Sequence, residues 1–370
     1  MPFAAEREAL NVARDGAREI FDKVGTKPKV LSAENFSTFW GELGYAFRLI
    51  AEEKEIIFFA ALQWVTIALA YLIWTQMLDW IPDHVWEQVG KRDNDVEFKL
   101  LNLALLAWSF FVVAVASYPI SLLNAAMTAA HYLRSSGQTS TVGKCLNLAF
   151  QHLGRLWAFT TVDAWITVSA ILDRLPRRGE NRRTALDELL YYAWKIGTIG
   201  VVPALVAGKG FNGAAKDSVA LLRNRPARAI GIRMGYSLIC WIIGIAAYVG
   251  GLSYLIAFGG SASHVNRIYN FYVLLAVPIV LAVGVTAVLV RPFYLVMVAK
   301  LYTDVVPIDR AATALTHDKK FDTLAFVFAV LLCFLLGFYL FGDEFGIRAW
   351  IESLATQDIQ EHHRQFKPAP

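Results

Sequence analysis

The stretch VLVRPFYLVMVAK, residues 288–300, sets an arginine and a proline inside an otherwise apolar run. A transmembrane helix needs roughly 20 apolar residues, and residues 271–290 supply a full span before Arg291 is reached. The same order recurs upstream, where an apolar run from Leu100 passes Pro119 and ends on a basic residue, Arg134. From Leu100 to Tyr132 a helix would be about 50 Å long at 1.5 Å per residue, more than the ~30 Å hydrocarbon core. Proline cannot continue the helical hydrogen-bond ladder, so a kink is expected at Pro292. Arg291 is then expected at the inner membrane boundary, its guanidinium reaching lipid phosphate. The alternative is a buried pair or a pathway residue within the bundle.

Composition agrees with a membrane setting. Of 370 residues, 56% are hydrophobic and 18% charged, and the mean hydropathy is +0.44. Soluble domains sit near 45–50% apolar and about 25% charged. Apolar runs lie near 56–78, 100–133, 156–175, 189–207, 232–257, 271–300 and 323–342. They describe an all-α fold: a polytopic helical membrane bundle with five to seven membrane segments, proline-kinked long helices and interfacial amphipathic helices. The range reflects two weak runs. The third holds Asp163, and the fourth holds Lys195, Gly197, Gly200 and Pro203. A re-entrant hairpin there would keep the basic loop DRLPRRGENRR on the cytosolic side.

Residues 1–26 read as a cytosolic amphipathic helix, with Leu10, Ala13, Ala17, Phe21 and Val24 at helical spacing. Residues 27–55 read as an interfacial helix, on the stripe Phe36, Phe39, Trp40, Leu43, Phe47 and Ile50. The transmembrane domain covers 56–342, and 343–370 form an extracytosolic tail. Lysines and arginines crowd residues 1–55, 207–233 and 300–320, whereas FGGSASHVNRIYN offers only Arg267. The positive-inside rule therefore gives a cytosolic N-terminus. The opening residues lack the apolar core of a secretory signal, and their acids do not suit a transit peptide. A net charge of +4 suits loops beside anionic lipid, not a nucleic-acid surface.

Few residues invite chemistry. Thr160, Asp163, Thr167 and Arg174 fall near one helical face, and Lys195 is the natural partner of Asp163 as an intramembrane polar pair. That pair reads either as a functional site or as a structural clasp. Lys209 and Lys216, around the glycine-rich turn GKGFNGAAKDS, join Arg291 as candidate lipid-phosphate contacts. Cys145, Cys240 and Cys333 are far apart and suggest neither a disulfide framework nor a metal site. The histidines are scattered, and no metalloprotease, hydrolase or nucleotide motif occurs. No catalytic residue, metal or cofactor is expected.

FSTFWGELGYAFRLIAEEKEIIFF, LLNAAMTAAHYLRSSGQTSTVGKCLNLAFQHLGRLWAF, AWKIGTIGVVPALVAGKG and FNGAAKDSVALLRN together resemble an uncharacterised family of prokaryotic multipass proteins. That family is similar to the membrane domain fused to some glycerophosphodiester phosphodiesterases. The resemblance covers about residues 36–235, through Asn124, Ala125, Ala126, Trp194, Val202, Pro203 and Ser218. It implies a bacterial inner-membrane setting and brings no catalytic residues. The expectation is a non-enzymatic subunit or scaffold of a larger membrane assembly, in contact with lipids and with a protein partner or further copies of itself. The alternative is a transporter or lipid-handling protein with its site in the discontinuous 156–207 segment.

Overall fold

The computed structural model describes residues 33–81, 99–172, 191, 193–258, 267–306 and 320–365. The expected helix over 1–26, Arg174 and the loop DRLPRRGENRR lie outside them. Among the described residues helices are the only regular element: α1 (Ala33–Glu52), α2 (Lys54–Asp79), α3 (Lys99–Ser135), α4 (Val142–Phe150), α5 (Leu153–Leu172), α6 (Val201–Val206), α7 (Phe211–Asn224), α8 (Pro226–Phe258), α9 (Arg267–Leu289), α10 (Arg291–Val305), α11 (Lys320–Phe341) and α12 (Ile347–Gln365).

Among the described residues three helices are long and apolar enough to cross a membrane: α2, α3 from Leu100, and α8 as far as Tyr254. The pair α9–α10 makes a fourth if it counts as one span bent by 41°. At most 22% of each of the three spanning windows is buried, so most of their apolar side chains face outward, as lipid contact requires.

The bend answers to local chemistry. Pro292 has no N–H, and its ring crowds the carbonyl four residues back. The break accordingly falls at Val290, two residues before the proline, with Val290 N donating to Thr286 O at 2.9 Å and Tyr294 N to Val290 O at 3.2 Å. Pro119 behaves differently, since α3 runs through it as one helix of 37 residues. Its surroundings hold it: Ser117 Oγ and Thr161 Oγ1 of α5 share a hydrogen bond at 2.5 Å, and Ser121 Oγ donates to Tyr118 O at 2.7 Å.

The chain forms two compact units, one comprising residues 1–64, 117–244 and 285–322, the other 65–116, 245–284 and 323–370. In the first, the second half of α3 is the axis. Ala125, Ala126, Met127, Ala129 and Ala130 are fully buried, because small side chains let neighbouring helices approach closely. α1 packs on α10 and turns Phe39, Leu43, Ala46 and Ile50 inward. The aromatic stripe read from the sequence divides here. Trp40 and Phe47 are 53% and 56% exposed, because a helix turns 100° per residue and these two fall off the buried line. After α3, Gly137 at φ +77° ends the helix, with Gln138 N reaching Leu133 O at 2.9 Å.

The second unit has its own core of Met77, Trp80, Leu101, Trp108, Leu335 and Ile351. Here Asp358 of α12 accepts from the amides of Leu100, at 3.0 and 3.1 Å, and Leu101, at 3.2 Å. A carboxylate thus caps the start of α3, where free N–H groups and the helix dipole favour negative charge.

Candidate functional site: a cationic cluster in the first unit

Asp163 projects from α5, which continues helical past it with Thr167 Oγ1 donating to its carbonyl at 2.6 Å. Lys195 Nζ lies 2.6 Å from Asp163 Oδ1, and Trp194 Nε1 donates to the same oxygen at 3.0 Å. Phe159 stacks on Trp194 with ring centroids 6.3 Å apart. Asp163 is 28% exposed and Lys195 11%, so screening is reduced but not removed. Thr160 is buried on the same helix.

Lys195 sits on the apolar stretch Ala193–Val206, which breaks into turns at 198–200 before α6 begins. Broken backbone in an apolar setting needs protein partners. Ser218 of α7 supplies them, donating to Gly197 O at 2.7 Å and accepting from Gly200 N at 3.0 Å. The approach favours glycine: a Cβ on Gly200 would stand 3.1 Å from Ser218 Cα, a few tenths of an ångström tighter than ordinary contact. Pro203 O accepts from the Tyr132 hydroxyl at 2.9 Å. Glycine is needed at Gly208, where φ of +87° closes the turn after α6.

Two further cations act on Lys195 electrostatically, Arg233 of α8 and Arg291 of α10. Arg233 lies over the rings of Tyr236 and Tyr294, 5.5 and 5.6 Å from their centroids, and those rings are 4.3 Å apart. Arg291 is half-buried; its Nε donates to Asn124 Oδ1 at 3.0 Å, and Gln63 Nε2 donates to the same oxygen at 3.3 Å. Arg291 thus has an interior acceptor on α3. Neither arginine has a carboxylate bonded to it among the described residues.

Lys209 and Lys216 are exposed, one before α7 and one on it, without an ion pair among the described residues. A second network went unseen in the sequence. Buried Glu42 of α1 is bound by Arg228 of α8 and by Lys300 of α10 at 3.2 Å. Arg228 reaches Asp304 at 2.7 Å, and Lys300 lies 4.2 Å from the centre of the Tyr45 ring. Burial, then the charges of Asp304 and Glu42, raises the Tyr45 phenol above its ordinary value. Acids and bases alternate along this chain of contacts, yet they come from residues far apart in sequence, which spacing cannot reveal.

Cys145 is buried on α4. Burial, then the charges of Glu55 and Glu53, pushes its thiol up to about 12. Among the described residues no three His, Cys, Asp or Glu side chains gather as a metal-binding group. What the surroundings of Lys195 offer chemically is fixed positive charge beside one ion-paired carboxylate, Asp163, an arrangement suited to holding an anion.

No curated protein and no solved structure matches the chain. A family of unknown function, DUF6159, matches residues 103–309. That stretch starts later than the resemblance read from the sequence and runs beyond it, taking in Asn124, Asp163, Lys195, Ser218, Arg233 and Arg291. The match carries no link to glycerophosphodiester phosphodiesterases. Since it spans more than half of the 370 residues, the chain belongs to the DUF6159 family.

Proposed function

We propose that this protein is a non-enzymatic integral membrane protein serving as a subunit or scaffold of a larger membrane assembly. The observation that carries the reading is the use made of Asp163. Its carboxylate fastens α5 to the broken stretch 193–206 through Lys195 and Trp194, which is the work of a structural clasp. Glu42 fastens α1 to α8 and α10 in the same manner. The setting proposed is a bacterial inner membrane, with five to seven segments, the N-terminus cytosolic and the C-terminus outside. Trp40 and Phe47, exposed on α1, support an interfacial position for that helix. The partners proposed are lipids and either another protein or further copies of the chain.

A second reading, a transporter or lipid-handling protein, draws on the interrupted stretch 193–206 beside α5, since broken helices often line substrate sites. Mass analysis of the protein, extracted gently with its lipids, separates the two. A stoichiometric protein companion is the expected result. A lone chain carrying a solute would favour the second reading.

A further inference from the structure

We infer that Lys195, Arg233 and Arg291 form a binding site for a phosphate-bearing anion, the headgroup of an anionic phospholipid being the source favoured by its depth. The inference goes beyond the scaffold reading and does not depend on it, because a resident lipid serves a scaffold and a lipid-handling protein alike.

Arg233 and Arg291 both act on Lys195, while Asp163 acts on Lys195 and on Arg233. Asp163 is already bound to Lys195 at 2.6 Å, which leaves both guanidinium charges without a bonded carboxylate among the described residues. Lysine can shed a proton when buried, but arginine stays charged. Among the described residues the groups bonded to or stacked on Arg233 and Arg291 are neutral: Tyr236, Tyr294 and an asparagine amide. Unbalanced positive charge beside an apolar core is costly, so an anion is the natural complement.

Geometry selects the anion. Arg233 lies over Tyr236 and Tyr294 and is hydrogen-bonded to Tyr294, so the remaining N–H groups of its planar fork are the ones open to a ligand. Arg291 commits Nε to Asn124, and its two terminal nitrogens make no hydrogen bond among the described residues. Two such forks match the tetrahedral oxygens of phosphate. Arg291 also opens α10, a helix of 15 residues with no side-chain cap at its N-terminus, so the helix dipole adds to the positive field.

Depth selects the source. Arg233 lies seven residues into α8 from Pro226, about 10 Å along the axis, where the apolar run of that helix begins. Arg291 stands where the apolar run of α9 ends. Both thus stand at an end of an apolar run, the position at which a spanning helix would meet lipid phosphate.

The test uses the full-length chain in mild detergent, with thermal unfolding and intact-complex mass analysis as readouts. The ligands are short-chain phosphatidylglycerol, short-chain phosphatidylcholine and inorganic phosphate. Saturable stabilisation and retention of phosphatidylglycerol over phosphatidylcholine are expected. The double variant Arg233→Gln/Arg291→Gln should bind phosphatidylglycerol at least about tenfold more weakly, as loss of charged hydrogen bonds predicts. Arg223→Gln/Arg225→Gln, which removes two exposed cations outside the cluster, should change binding less than about twofold. If inorganic phosphate competes with the lipid at comparable concentration, the site stands and the source is free phosphate. Equal retention of the two lipids by the wild-type chain would overturn the inference, as would unchanged binding in a folded Arg233→Gln/Arg291→Gln variant. Should that variant fail to fold, Arg233→Lys, which keeps the charge and loses the fork, takes its place. Unchanged binding by the folded Arg233→Lys chain would likewise overturn the fork geometry.

Discussion

At the scale of single residues, the polar side chains of the first unit act by satisfying one another. Asp163→Asn keeps an acceptor for Trp194 but strips Lys195 of its counter-charge. We expect a loss of about 1–3 kcal/mol, less than for a fully dry pair because Asp163 is 28% exposed. A thermal melt against wild type measures it, and under the scaffold reading assembly falls along with stability. Ser218→Ala removes both partners of the turn at 197–200. Leaving Gly197 O and Gly200 N unmet should cost about 1–3 kcal/mol, readable as a lowered unfolding midpoint. Cys145 should resist alkylation at pH 8 in the folded chain and react fast after denaturation, since only thiolate attacks. Its thiol is raised to about 12 by burial first and by Glu55 and Glu53 after it. The sign follows. Above the ordinary thiol pKa near 8.5 the unfolded chain releases this proton while the folded chain keeps it, so stability falls as pH rises from there towards about 12.

At the scale of elements, sequence and structure agree where apolar length alone decides. The runs at 56–78, 100–133 and 232–257 lie within α2, α3 and α8, because an unbroken apolar run of that length has few other stable forms in a bilayer. The weakness of the run at 189–207 was also legible: Gly197, Gly200 and Pro203 mark the break found at 198–200. The two prolines were not separable. Pro119 and Pro292 follow similar apolar runs, yet only Pro292 sits at a break, because the serines flanking Pro119 are held by hydrogen bonds that local pattern does not encode. The clasp of Glu42 by Arg228 and Lys300 was invisible for a related reason, since ion pairs between distant residues leave no period. Of the candidate site, Asp163, Lys195 and Arg291 were legible as charges in apolar runs, whereas Arg233 reads as one more basic residue in a basic segment. The cap on α3 offers an element-scale prediction. Asp358→Ala frees the amides of Leu100 and Leu101 and should destabilise the second unit by about 1–2 kcal/mol. Hydrogen exchange at the start of α3 would report it as faster exchange confined to that end.

At the scale of the whole molecule, orientation is the property that basic residues should set. The turn after α3 carries exposed Gln138. In a chain whose three native cysteines are replaced by alanine, Gln138→Cys should react with an impermeant thiol reagent only from the cytosolic side. Labelling from outside would invert the proposed topology. The cap on α3 has a further meaning in time. Asp358 lies 258 residues beyond the amide of Leu100 that it holds. At a synthesis rate of 5–20 residues per second, that separation is roughly 10–50 s. Through that interval the nascent α3 stands with its first amides bare, to be met by water or by whatever assists insertion. α12 must therefore be made before Asp358 can cap the start of α3. A ribosome stalled before α12 would leave α3 without that cap, frayed at its start and open to the proteases that clear unfinished chains.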